Sequence, residues 1–176
     1  MKRLLVPILV LLLTTPVALR AQLDPVSLAL RAYQNKDLPK ARELIEIAVG
    51  DDNFNGITKT WYFRGYIYKD LFKESKDTKN KKEAFGYRED AIESYMKAVQ
   101  LEPQGELVED CFNSLKYLSS TLYNDAAFAL DSNNFETAQE LFDRYKAIIA
   151  MTNPDMDMTQ RTIEFNLYKA SKYSYL

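Results

Sequence analysis

The chain has 176 residues, which suits one domain that buries a sizeable apolar core. It contains no histidine, the commonest general base and metal ligand, and its one cysteine, Cys111, excludes an internal disulfide. From Gln22 onward, 20 basic and 25 acidic residues give a net charge of −5, which argues against nucleic acid as a partner.

The first 21 residues have the pattern of a cleaved export signal. Lys2 and Arg3 form a positive start, residues 4–13 are apolar, and residues 19–21 resemble a cleavage site. The apolar run has about half of the roughly 20 residues that a membrane-spanning helix needs, which favours cleavage over a retained anchor. We therefore expect an exported protein that begins at Gln22 and resides in the periplasm or at the outer envelope.

After this segment, apolar residues recur at helical spacing and predict helices joined in pairs. Pro25 suits the first turn of the first helix, and Asp37 suits the cap of the second. The predicted pairs span residues 24–52, 58–103 and 107–152. A last helix is predicted at 157–174, where it would cover the apolar face of the third pair.

Two segments make the second and third pairs longer than the first. Residues 73–84 are polar, mixed in charge and without apolar period, so we predict a loop inserted in the second pair. In the third pair the apolar spacing continues from Leu107 to Leu122, which predicts an elongated first helix.

Small residues next to large apolar ones recur at equivalent positions of the three pairs. In the second pair these are Trp61, Gly65 and Tyr68, followed in the next helix by Ala91, Tyr95 and Ala98. This pattern resembles the tetratricopeptide repeat, a helical hairpin of about 34 residues. The equivalent packing residues in the first and third pairs are Ala29, Ala41, Ala126, Ala138 and Phe142.

The resemblance implies an all-α, tetratricopeptide-like solenoid of about three degenerate repeats with a C-terminal cap helix. In that family the first helices of successive repeats line a concave face that binds a peptide or a protein. Carried over position by position, the residues expected to contact a partner are Tyr33, Tyr62, Tyr66, Lys69 and Tyr123. The competing interpretation is that these tyrosines only pack one repeat against the next.

The sequence contains no catalytic motif that indicates a reaction: it has no phosphate-binding loop, nucleophile elbow or CxxC pair. The acidic pairs 89–90 and 109–110 are expected on solvated helix faces, and we expect no metal and no cofactor. The prediction is a non-enzymatic adaptor or scaffold of a bacterial envelope that binds a protein or peptide.

Two other functions stay open. In one, the chain is a subunit of a homo-oligomer or larger complex that uses the elongated helix and the C-terminal tail, 173–176, as interfaces. In the other, it is an enzyme using carboxylates, or it binds a small ligand between hairpins. Any membrane contact is expected to be peripheral, through the lysines of residues 73–84.

Overall fold

The computed structural model describes residues 24–75 and 81–174. The expected export signal, 1–21, therefore lies outside the described residues. Within the described ranges the chain forms seven α-helices and no strand. They are α1 (Pro25–Gln34), α2 (Leu38–Val49), α3 (Thr58–Ser75), α4 (Lys81–Leu101), α5 (Val108–Asp131), α6 (Phe135–Thr152) and α7 (Thr159–Tyr173).

The helix starts follow from capping side chains. Asp24 accepts a hydrogen bond of 2.8 Å from the backbone N–H of Ser27, with Pro25 in the first turn of α1. Asp37 caps α2 in the same way, through a bond of 3.0 Å from the backbone N–H of Lys40. Each carboxylate satisfies a backbone donor that has no partner inside its helix, so both predicted starts are confirmed.

The turns between α1 and α2 and between α5 and α6 have the same geometry. Each has one non-glycine residue in the left-handed region, Lys36 with φ 63° and Asn133 with φ 57°. In both turns the next backbone N–H bonds back to a carbonyl five residues earlier, from Asp37 to Ala32 at 3.0 Å and from Asn134 to Ala129 at 2.8 Å. This pattern satisfies carbonyls at the helix end and reverses the chain within a few residues.

The helices pack as consecutive antiparallel pairs, α1 on α2, α3 on α4 and α5 on α6. The pairs also contact one another, through α2 with α3 and α4 with α5, and α7 packs on α5. Small residues sit where the helices approach, and Ala29, Ala41, Ala91, Ala126 and Ala138 are all fully buried. The described residues therefore form an all-α protein with one continuous apolar core.

The predicted loop at 73–84 differs from the structure. Helix α3 continues to Ser75 and α4 begins at Lys81, so helices occupy both ends of that segment, and residues 76–80 lie outside the described residues. The predicted elongated helix of the third pair is confirmed, because α5 has 24 residues where α3 has 18. No helix within the described residues combines the length and apolarity needed to span a bilayer.

Candidate functional site

A groove of about 380 Å³ lies between α3 and the first half of α5. Tyr62, Tyr66 and Lys69 line it from α3, and Asp110 and Ser114 line it from α5. The three α3 residues are spaced by four and three positions, which puts them on one face of the helix. The groove thus brings together three of the five predicted partner-binding residues.

The two groove tyrosines of α3 belong to a row of aromatic rings. The Tyr62 and Tyr66 ring centroids are 6.3 Å apart, and Tyr33 of α1 meets Tyr66 edge-on at 5.2 Å. The Tyr33 hydroxyl donates a hydrogen bond of 2.5 Å to Asp70, which ties α1 to α3. The fourth predicted residue, Tyr33, therefore extends the row that begins at Tyr62.

The hydroxyls of Tyr33 and Tyr62 stay protonated at neutral pH. Burial raises the pKa of Tyr33 above its usual value, and the hydrogen bond to Asp70 adds to that effect. Burial also raises the pKa of Tyr62, helped by the negative charge of Asp110. At neutral pH these groups are neutral hydroxyls that can donate or accept hydrogen bonds.

Lys69 puts a cation at the centre of the groove. Its Nζ lies 4.7 Å from the Tyr66 ring centroid and 5.6 Å from that of Tyr95, and it donates a 3.0 Å hydrogen bond to Ser114. Burial lowers the pKa of Lys69, with a smaller contribution from the nearby charge of Lys73. Rings and a hydroxyl hold this ammonium, so it retains donor capacity for a ligand.

Tyr123, the fifth predicted residue, lies elsewhere. Its ring is 5.2 Å from Tyr145 and 6.2 Å from Phe142, and the Arg161 guanidinium of α7 lies 5.9 Å above it. It lies in the second half of α5, at the junction with α6 and α7, whereas the groove uses the first half of α5. The structure therefore does not bring Tyr123 together with the other four residues.

The predicted packing residues are buried with one exception. Trp61 is only partly buried, and its indole N–H donates a 2.7 Å hydrogen bond to the carbonyl of Asn55. Tyr68 and Phe142 are almost fully buried, and the Tyr95 ring packs directly on Gly65. The buried members are Ala29, Ala41, Gly65, Tyr68, Ala91, Tyr95, Ala98, Ala126, Ala138 and Phe142.

The acidic pair 89–90, expected on a solvated face, takes part in ion pairs instead. Asp90 accepts a 2.9 Å bond from Arg64, which also bonds Glu46 of α2 at 2.7 Å. Glu89 lies 3.5 Å from Arg144 of α6, and burial is the main cause that raises its pKa. The second acidic pair, 109–110, is solvent-exposed as predicted.

Sequence reasoning missed Arg64, and it also missed Arg88 of α4, whose side chain is 1% exposed. The signal was its position, four residues before the buried Ile92 and seven before Tyr95, on the apolar stripe of α4. Its Nη1 donates to Asp125 of α5 at 2.5 Å. A charge is typical of a surface residue, whereas the spacing of Arg88 corresponds to the buried face of α4.

Among the described residues, no cluster of His, Cys, Asp or Glu side chains has the arrangement of a metal site. Asp131, the last residue of α5, pairs with Lys172 of α7 at 2.8 Å. The site is thus one of aromatic rings, hydroxyls and a lysine, in an all-α protein of packed helical pairs. A comparison with protein-family models, curated proteins and solved structures finds no significant match.

Proposed function

We propose that the chain is an exported, tetratricopeptide-like adaptor or scaffold of a bacterial envelope that holds a peptide segment of a partner protein in the α3–α5 groove. It binds and does not catalyse. The observation that carries the proposal is the row of Tyr33, Tyr66 and Tyr62 rings, of which Tyr62 and Tyr66 line a groove between two hairpins beside the Lys69 ammonium.

Features of the helical pairs support the tetratricopeptide-like part of the proposal. The α1–α2 and α5–α6 turns share one geometry, including a left-handed residue at the same place. Each second helix carries a fully buried Ala41, Ala91 or Ala138, with a large buried side chain four residues later. Equivalent residues with equivalent burial are what a stacked repeat requires, and α7 then serves as the cap.

The chemistry of the groove suits an extended peptide. Tyrosine presents an apolar ring and a polar hydroxyl at low entropic cost, a combination enriched in protein interfaces. Lys69 and Ser114 supply donors for backbone carbonyls or an acidic side chain, while the exposed Asp110 accepts from backbone N–H groups. Such a groove would recognise main chain and one or two side chains of its partner.

Site-specific photo-crosslinking in the source cells tests the groove. A photoreactive phenylalanine analogue is placed at Tyr117, which is 39% exposed and lines the groove, or at Tyr168 of α7, which is 41% exposed. We expect one partner protein to crosslink from position 117 and not from position 168. The same product from both positions, or from position 168 alone, would show that the groove is not the binding surface.

A double variant tests the contribution of the rings. Tyr62→Ala with Tyr66→Ala should abolish the position-117 crosslink, whereas Tyr62→Phe with Tyr66→Phe should retain most of it, because the apolar rings remain. Circular dichroism checks that both variants stay folded. Full crosslinking by a folded alanine variant would contradict the assignment of these tyrosines.

A homo-oligomer remains a second candidate, and α7 is the feature that favours it. Ile163 and Leu167, one helical turn apart, are 47% and 66% exposed on this helix. By contrast, the apolar residues of α5 that suggested an interface, including Leu115, Leu118 and Leu122, are fully buried in the monomer. If the protein oligomerises, Leu167→Glu should yield monomers by light scattering; a wild-type monomer at every concentration would remove this candidate.

A further inference from the structure

A second cavity, of about 570 Å³, lies where the end of α3 and the start of α4 meet the second half of α5. Its apolar walls are Phe72 from α3, Ala84 and Phe85 from α4, and Phe128 from α5. The polar residues that line it are Ser75, Arg88, Thr121, Asn124 and Asp125. This volume is in the range of pockets that enclose small organic ligands. The cavity is separate from the tyrosine groove, which lies along the first half of α5.

Among the described residues that line this cavity, Arg88 carries the one buried charge. Its guanidinium carbon is 5.2 Å from the Phe85 ring centroid and 5.6 Å from that of Phe72. One end of the guanidinium is satisfied, because Nη1 donates to Asp125 at 2.5 Å and to Thr121 at 3.3 Å. The rings and these two bonds fix the orientation of the side chain.

The other edge of the guanidinium is not satisfied. Within the described part of the chain, Nε and Nη2 of Arg88 are buried and have no hydrogen-bond partner. Oε1 of Glu89 lies 3.8 Å from Nε, within ion-pair distance but too far for a hydrogen bond. Buried donors without an acceptor are costly, and a charged one more so.

The shape of this edge defines the acceptor that fits it. Nε–H and one Nη–H of arginine point in parallel, and a carboxylate accepts both through its two oxygens. A doubly charged phosphate fits less well, since the guanidinium already lies near two carboxylates, Asp125 at Nη1 and Glu89 at 3.8 Å from Nε. The apolar walls require the rest of the ligand to be a hydrocarbon or aromatic group.

We propose that this cavity binds an amphipathic monocarboxylate, whose acid group pairs with the Nε and Nη2 edge of Arg88 and whose apolar tail lies against the phenylalanine walls. The proposal does not depend on the peptide groove, because no residue is shared by the two sites. An adaptor with both sites would carry a small acid or a chain terminus in addition to its peptide partner.

Calorimetric titration of the purified protein, in the form that cells produce, tests this with 4-phenylbutyrate as the probe. The neutral 4-phenylbutyramide and the tailless acetate are the comparison ligands. We expect the acid to bind at least tenfold more tightly than the amide, because only the acid pairs with the guanidinium. Acetate should be at least tenfold weaker, because it lacks the tail. Equal affinity of acid and amide, or no binding of the acid, would overturn the proposal.

Variants of the cavity and of the groove show where the acid binds. Arg88→Gln should weaken the acid at least tenfold, and Lys69→Gln, which removes the cation of the groove, should leave its affinity unchanged. If Arg88→Gln does not fold, Ala84→Met is the variant to measure, because its larger side chain fills the cavity while Arg88 is retained. It should also weaken binding of the acid. Retained affinity in Ala84→Met, or a loss in Lys69→Gln instead, would contradict the assignment.

Titrations with peptides distinguish a protein C-terminus from a free acid as the source of the carboxylate. A tetrapeptide ending in phenylalanine with a free carboxylate is compared with 4-phenylbutyrate and with the amidated tetrapeptide. Tighter binding of the free peptide than of the small acid would assign the site to a protein C-terminus. Tighter binding of 4-phenylbutyrate would assign it to free acids. Equal binding of the free and amidated peptides, with no binding of the small acid, would again overturn the proposal.

Discussion

In the α3–α4 and α5–α6 hairpins an aromatic residue lies four positions after the buried alanine of the second helix. The two aromatic residues, Tyr95 and Phe142, have different surroundings. In α3–α4 the Tyr95 ring lies on the backbone of Gly65, where a Cβ would be only 3.0 Å from three ring atoms. In α5–α6 the equivalent Phe142 stacks on Phe165 of α7, with centroids 4.0 Å apart and planes at 3°. The first ring packs on the backbone of its own hairpin, whereas the second also stacks on a ring of a third helix.

The two hairpins also differ in buried charge. Arg64 and Arg88 belong to α3–α4, and each pairs with a carboxylate on a different helix, Asp90 and Asp125 respectively. The α5–α6 hairpin is instead closed by apolar contacts and by α7. Hairpins with similar apolar spacing in the sequence are therefore packed in two different ways. Different substitutions should destabilise each of them.

The largest expected effect is at Phe142, which is 1% exposed. Phe142→Ala should cost about 3–5 kcal/mol of unfolding free energy, because it removes a buried ring and leaves a cavity. Urea unfolding followed by circular dichroism measures this loss.

Phe165→Ala distinguishes the contribution of α7. If α7 completes the third hairpin, this variant should lose a comparable amount, and the double variant should lose less than the sum of the two. Unchanged stability in Phe165→Ala would show that the α5–α6 hairpin does not need the third helix.

A smaller effect is expected where Arg88 joins the two hairpins. Asp125→Ala removes the carboxylate that accepts the 2.5 Å bond from this buried guanidinium and should cost about 1–3 kcal/mol. Asp143→Ala is the matched control, since Asp143 pairs with Lys146 at 2.8 Å and is 53% exposed, close to the 57% of Asp125. The control should cost less than about 1 kcal/mol, as surface pairs do. Equal losses would mean that burial of the arginine is irrelevant.

Local signals in the sequence were sufficient for much of the fold. Asp24 and Asp37 cap helices because a side-chain oxygen satisfies a nearby backbone N–H, which depends on neighbours in the chain only. The apolar stripe from Leu107 to Leu122 likewise predicted the length of α5. Polar composition was misleading at residues 73–84, because helix ends can consist mostly of polar residues and still bury single positions, here Ser75 and Ala84.

Long-range contacts could not be predicted. The spacing could have placed Arg88 on the buried face of α4, but nothing in the sequence names Asp125, 37 residues later, as its partner. The assignment of Tyr123 to the groove followed from repeat equivalence, which ignores the Arg161 side chain of α7 above its ring. Both features depend on how one hairpin meets the next, and periodicity within a helix does not encode that.

Replacing two glycines of the α3–α4 hairpin by alanine should change the unfolding free energy in opposite directions. Gly65→Ala should lower the unfolding free energy by about 1–2 kcal/mol, because overpacking against the enclosed Tyr95 ring outweighs the gain in helix propensity. Gly86→Ala, in the neighbouring helix, should raise it by about 0.5–1 kcal/mol, since no atom lies within 4 Å of the added Cβ. Thermal unfolding of both variants measures the difference. Stabilisation by Gly65→Ala would mean that the Tyr95 ring can shift, and that the α3–α4 hairpin is less tightly closed than its geometry implies.

The smallest expected effect concerns Cys111, on the α5 side of the contact between the two hairpins. Its thiol is 1% exposed, and burial, helped by the charge of Asp110, raises its pKa to about 11. At pH 8 the thiolate fraction is then about a hundredfold below that of an ordinary thiol, so the native protein should scarcely react with a disulfide reagent. Because the folded-state pKa is raised, the reaction rate of the native thiol should increase about tenfold per pH unit from 8 to 10. By pH 10 the rate of an unfolded thiol has already reached its plateau.

The chain has one cysteine, so the measured rate reports this position alone. Rapid reaction at pH 8 without denaturant would show that α5 separates from the α3–α4 hairpin in the native state, and the two hairpins would then have to be treated as independently moving units.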